Sequence, residues 1–135
     1  GNQLILDDRE KPEVFFQSVL KAITGSNFKA EIEAATSTGK GITLDPNIHS
    51  LIIGESGKYC IRASQVASVS GEASLLIRKN GSGLKRAASV NGVRLNHTVS
   101  VIESCAAGDE IDFYWNGTVT EAMTGMDSSV SIFRI

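Results

Sequence analysis

Several features that usually open a functional reading are missing from this sequence. Its longest apolar runs are only a few residues, far below the ~20 needed to cross a bilayer, so no membrane-inserting segment is expected. There is no basic excess. Thirteen Lys and Arg stand against 15 Asp and Glu, a net charge of −2, which leaves nothing to neutralise a phosphate backbone and argues against nucleic acid as a partner. Cysteine occurs only at Cys60 and Cys105, and their spacing matches no metal motif. They read as two buried free thiols or, alternatively, as a disulfide. Catalytic patterns are missing too. His49 and His97 lie outside any nucleophile motif, and no G-x-S-x-G elbow accompanies the many serines. The glycine stretches at 38–41 and 81–83 lack the phosphate-loop pattern. Asp109, Glu110 and Asp112 crowd one short segment, whereas glycoside cleavage needs two acids across a groove. Glu110 and Asp112 are expected to form a solvated acidic face. Asp7, Asp8 and Asp45 do not make a dense calcium loop. No enzyme, cofactor or metal is expected.

What is present is a regular succession of short apolar segments and turns. The 135 residues fit one domain, and a chain of this length buries roughly 70% of its unfolded surface, enough for a core without staples. GNQLILDDREKPE is too short and too acidic for a signal peptide. Residues 1–13 read as an N-terminal arm, and Gly1 suggests a piece of a longer protein. Residues 14–24, VFFQSVLKAIT, suit a helix by composition or a strand by their Val and Phe. Residues 24–41 read as a Thr-, Ser- and Gly-rich stretch with Phe28 and Ile32 as isolated anchors, ending in a loop at 36–41. DPN at 45–47 marks a turn, followed by a strand over 49–53.

Strands follow at 58–69, 73–79, 84–90, 94–105, 110–115 and 130–135, punctuated by Asn80-Gly81, Asn91-Gly92 and Asn116-Gly117. In 58–69, Tyr59, Ile61 and Ala63 alternate with Lys58, Cys60, Arg62 and Ser64, with Val66 further along the second face. Ile111, Phe113 and Trp115 alternate with Glu110, Asp112 and Tyr114, the pattern of a strand with one dry face. About eight strands at such intervals, with no persuasive helical period beyond residue 35, predict an all-β sandwich or barrel.

Four motifs in this order carry a resemblance. They are Gly57-Lys58-Tyr59, Ile77-Arg78-Lys79-Asn80-Gly81, Ala107-Gly108-Asp109-Glu110-Ile111 and Ser131-Ile132-Phe133. Together they resemble the C1q/TNF-like jelly roll over about residues 14–135. The resemblance implies a homotrimeric sandwich of two antiparallel sheets. The inner sheet would hold 14–20, 58–69, 95–105 and 129–135. The outer would hold 42–53, 73–79, 84–90 and 109–115. It also implies that the inner-sheet face turned away from the core meets its copies, making Cys60, Arg62, Ser64, Val66, Thr98, Ser100, Glu103 and Phe133 the expected trimer contacts. Arg62 would then pair with Glu103 of the same or a neighbouring copy, or three copies of it would hold an anion, since an unpaired buried guanidinium is costly. Cys60 and Cys105 would lie near facing strand ends.

Within this family, low aromatic content and richness in Ala, Ser, Thr and Gly are similar to the knob at the tip of a bacteriophage tail needle or tail fibre. That likeness implies a virion location, a stalk ending in residues 1–13 with Leu4, Ile5 and Leu6 inward, and contact with a host cell-surface component such as a glycan. The loops at 36–41, 80–83 and 116–128, together with Tyr114, Met123, Met126, Lys85 and Arg86, are the expected contact residues. The alternatives are a purely structural trimerisation cap and a soluble, extracellular C1q/TNF-like signalling ligand. The Asn-x-Thr triplets at Asn96 and Asn116 matter only for the last.

Overall fold

The structure, a computed structural model, describes residues 13–135. The expectations for Leu4, Ile5, Leu6, Asp7 and Asp8 lie outside the described residues. Ten strands and one turn of 3-10 helix (Gly125–Asp127) make up the described fold. The strands are β1 (Phe15–Ser18), β2 (Gly25–Lys29), β3 (Ser37–Thr38), β4 (Ile42–Asp45), β5 (Ser50–Ile53), β6 (Gly57–Lys79), β7 (Ser82–Val90), β8 (Leu95–Cys105), β9 (Glu110–Ala122) and β10 (Ser128–Arg134). Every strand pairing is antiparallel.

Two layers form from these pairings. The inner sheet runs β3-β1-β10-β6-β8, using the first half of β6. The outer sheet runs β7-β6-β9-β5-β4, using the second half of β6, with β2 alongside the later part of β9. Alternation explains the core between them. Tyr59, Ile61 and Ala63 project inward from one sheet; Leu75, Ile77, Ile111, Phe113 and Trp115 meet them from the other, all buried. Each large apolar side chain fully buried here contributes roughly 1.5–3 kcal/mol.

One open reading is resolved and two sequence expectations are corrected. The ambiguous segment after residue 13 is a strand at Phe15–Ser18, because Phe16 and Ser18 alternate into the interior while β10 supplies its hydrogen bonds. The stretch expected to be irregular holds β2 and β3, since pairing to β9 and β1 overrides its weak propensity. Asn116-Gly117 does not end a strand, as β9 continues to Ala122. The expected contact loop at 116–128 is therefore mostly strand.

The expected break between 69 and 73 is a corner within one long strand. Ser70 pairs with Thr118 and Ser74 with Asn116, so residues 71–73 face Gly117 alone. This bulge lets β6 leave one sheet and join the other. Gly117 has φ +103°, and a Cβ there would run into the Glu72 carbonyl and Ala73.

The corner also sorts the loops. Arg134 N donates to Val14 O (2.9 Å) and Ile135 N to Lys58 O (2.8 Å), so residues 13–14 and the final residue share one end of the sandwich. The 80–81 and 106–109 turns join them there, bound through Asn80 and Asp109. At the opposite end, Asn91 N bonds Gly71 O, Arg94 N bonds Ser68 Oγ and Thr124 Oγ1 bonds Leu20 O.

Candidate functional site

The outward face of the inner sheet is the first candidate site. Cross-strand register puts Cys60 beside Ile102 and Phe133, Arg62 beside Ser100 and Ser131, and Ser64 beside Thr98 and Ser129. Phe15 lies next to Phe133 at the β1 side. Hydroxyl and amide groups tie part of this face together: Ser64 Oγ donates to Asn96 Oδ1 (2.8 Å) and lies 3.0 Å from Thr98 Oγ1. Among the described residues the centre of this patch holds Arg62 among Ser, Thr, Asn, Cys and apolar groups, with Lys58 at its margin. Ile102 is 60% exposed there, an unusual position for a large aliphatic side chain.

Seven of the eight expected contact residues share this face. Glu103 does not. It is in register with Tyr59 on the opposite side of β8 and forms its ion pair with Lys79. No Arg62–Glu103 pair forms within the protomer, because period-two alternation separates position 103 from 98 and 100. That same alternation identifies Ile102, which the sequence reading missed. The cysteines are both free, Cys60 half-buried on the outward face and Cys105 buried on the core side. Burial raises the Cys105 thiol pKa.

The outer sheet offers a second surface. Arg78 stacks 4.3 Å above the Tyr114 ring and clamps Asp112 through Nε–Oδ1 (2.7 Å) and Nη2–Oδ2 (3.0 Å). Lys29 Nζ approaches Asp112 Oδ2 at 3.4 Å and donates to Ile48 O. Asp112 is thus buried and paired rather than part of a solvated acidic face; only Glu110 is exposed. Tyr114 is half-buried under the guanidinium, while Lys85 and Arg86 on β7 are exposed.

Beneath this sheet lies a buried polar chain. Trp115 Nε1 donates to Gln65 Oε1 (2.9 Å), and Gln65 Nε2 donates to the carbonyls of Lys21 and Met123. The His97 ring packs edge-on to Trp115, and its Nε2 lies 2.6 Å from Ser89 Oγ. Burial lowers the His97 pKa, opposed by hydrogen bonding to the main chain of Gln65 and Leu95. Its Nδ1 is buried without a side-chain acid, so Ser89 and His97 form no triad. Among the described residues no cluster of three or more His, Cys, Asp or Glu has metal-binding geometry.

The far end of the sandwich carries exposed apolar groups. Val93 and Leu95 flank the β7–β8 turn, and Met126 is fully exposed beside Ser64, Val66 and Asn96. Met123 is half-buried, with its backbone N–H bonded to Val66 O.

No family model and no curated protein sequence matches this chain. Solved structures do. Eiger TNF from S. frugiperda superposes with a TM-score of 0.73 at 9% identity, over 93% of this chain and 94% of that one. Murine APRIL at pH 5.0 superposes with 0.71 at 10% identity, over 90% and 99%. Murine APRIL at pH 8.5 gives 0.68 at 11%, over 88% and 99%. The fold is the TNF-like jelly roll. At such identities the likeness concerns the fold alone. The jelly roll nevertheless accounts for the two-sheet arrangement and for β6 crossing between layers.

Proposed function

We propose that this jelly roll is a homotrimeric binding knob, assembled through the outward face of its inner sheet and touching a cell surface with its far end. The observation that carries the reading is the composition of that face: Phe15, Cys60, Val66, Ile102 and Phe133 among uncharged hydroxyl and amide side chains, with Arg62 the charge at its centre and Lys58 at its margin among the described residues. Interface cores are depleted in charge and enriched in aromatic groups. A stable interface takes about 800 Å² from each partner, roughly a tenth of the 7264 Å² exposed here. The interface set is Cys60, Arg62, Ser64, Val66, Thr98, Ser100, Ile102 and Phe133.

The carrier we propose is a bacteriophage tail needle or fibre, with the domain at the virion's tail tip. Residues 13–14 enter at one end, so a preceding stalk leaves the opposite loops free, with Met123 and Met126 among the contacts there. The soluble signalling ligand is the second reading, favoured by the likeness to Eiger TNF. Light scattering at low micromolar concentration tests the assembly. A mass near three times 14.4 kDa is expected, and a monomer refutes it. Fluorescent trimer then separates the carriers: retention on bacterial envelopes supports the knob, and absence of retention removes it.

A further inference from the structure

A trough crosses the outward face of the outer sheet beside the β6 corner, with a volume of about 350 Å³. Its shape follows from side-chain size. Ser74 on β6 pairs with Ala88 on β7 and Asn116 on β9, so three small or short residues form a low floor. Larger groups rise on both sides. Arg86 stands two positions along β7, opposite Leu76; Glu72 and Val90 stand two positions the other way. The two charged walls are thus separated by about 13 Å along the strands.

Apart from Ser89, whose hydroxyl bonds His97, the polar groups here are not used by the described fold. Most of Ser74 is covered, its residue 4% exposed, but its hydroxyl reaches the open trough and makes no hydrogen bond among the described residues. The Arg86 guanidinium and Glu72 carboxylate form no ion pair among the described residues, and the Asn116 amide is exposed without a protein partner there. This contrasts with Arg78 next door, whose charge is consumed by Asp112. Ser74, Asn116, Arg86 and Glu72 thus leave donors and acceptors of both kinds free around one concave floor, the arrangement a small polar ligand needs.

We propose that the trough binds the carboxylate-bearing ring of an acidic sugar. The planar Arg86 fork matches a carboxylate bidentately. Ser74 and Asn116 both donate and accept, as ring hydroxyls require, and Glu72 accepts from hydroxyls at the far wall. Glu72 also repels a continuous polyanion, and the volume sits at the low end of small-ligand sites, suited to a ring rather than a chain of phosphates. The site deepens the cell-surface reading above, from which it takes only its choice of a sugar.

The test is an amide-shift NMR titration of the whole chain with methyl glucuronide, with methyl glucoside and inorganic phosphate as comparisons. Saturable shifts at Ser74, Ala88 and Asn116 are expected with a Kd on the order of 1–10 mM. The glucoside, and the Arg86→Gln variant with glucuronide, should each bind about tenfold more weakly, the loss of one charge-assisted contact. Ala88→Leu, which fills the floor of an exposed surface, should abolish the shifts while leaving the rest of the spectrum intact. Equal affinity for glucoside, equal affinity for phosphate, or no shifts localised to the trough would each overturn the proposal. None of these outcomes alters the trimer mass. Failure of the envelope-binding assay with intact glucuronide binding would count against the knob and not the trough.

Discussion

Asp112→Ala is the substitution that separates the sequence pattern from the folded environment most sharply. Read along the strand, Asp112 and Glu110 are equivalent outward acids. In the fold Glu110 is exposed, while the Asp112 side chain is 5% exposed and receives both Arg78 nitrogens and the Lys29 ammonium. Removing one partner of a buried pair costs about 3–5 kcal/mol, because the remaining charge keeps its desolvation penalty. Arg78 is 19% and Lys29 33% exposed, so water recovers part of that loss, and about 2–3 kcal/mol is expected. At this chain length that corresponds to a fall of about 8–12 °C in Tm. Glu110→Ala should change stability by less than about 0.5 kcal/mol. Urea unfolding at one fixed protomer concentration measures both, since assembly makes stability concentration-dependent. Replacing Arg78 and Asp112 together by Leu should recover most of the loss. Equal effects of Asp112→Ala and Glu110→Ala would refute the assignment of Asp112 as a buried anchor.

Other outcomes follow from the same structure. Ile102→Asp places a carboxylate in the centre of the proposed interface and should reduce the light-scattering mass from a trimer to 14.4 kDa without unfolding the domain by circular dichroism. Cys60 should resist a maleimide in the assembled protein and label in the Ile102→Asp variant, while Cys105, buried with a raised pKa, stays unlabelled in both. The His97 pKa is lowered in the fold, so the unfolded chain binds the additional proton; stability should fall as pH drops through its ordinary value of 6.5 toward the folded value, and His97→Gln should remove that slope in pH-dependent urea titrations. Gly117→Ala should cost more than about 1 kcal/mol, from positive φ and collision with the Glu72 carbonyl, measured by the same unfolding.

The legibility of the site followed local geometry. Cys60, Arg62, Ser64 and Val66 were identifiable as one face because a strand repeats every two residues, and β6 keeps that repeat through its inner-sheet half. Glu103 lies off this face because the two-residue repeat along β8 runs through Thr98, Ser100 and Ile102. The trough around Ser74 left no trace in the chain, since its floor combines residues 74, 88 and 116 from three strands.

Alternation of apolar and polar residues, with Gly and Asn between segments, determined by itself that this protein is all-β, which faces of its main strands are dry, and that Ile111, Phe113 and Trp115 belong to the core. These are local properties, set by side-chain period and backbone preference within a few residues. Long-range pairing decided the rest. β9 continues past Gly117 because β6 and β2 hydrogen-bond to it on both sides. Asp112 is buried because Arg78, 34 residues away in sequence, lies directly beside it. Such partners meet only when the sheets close, and their energies depend on desolvation that no single segment produces alone.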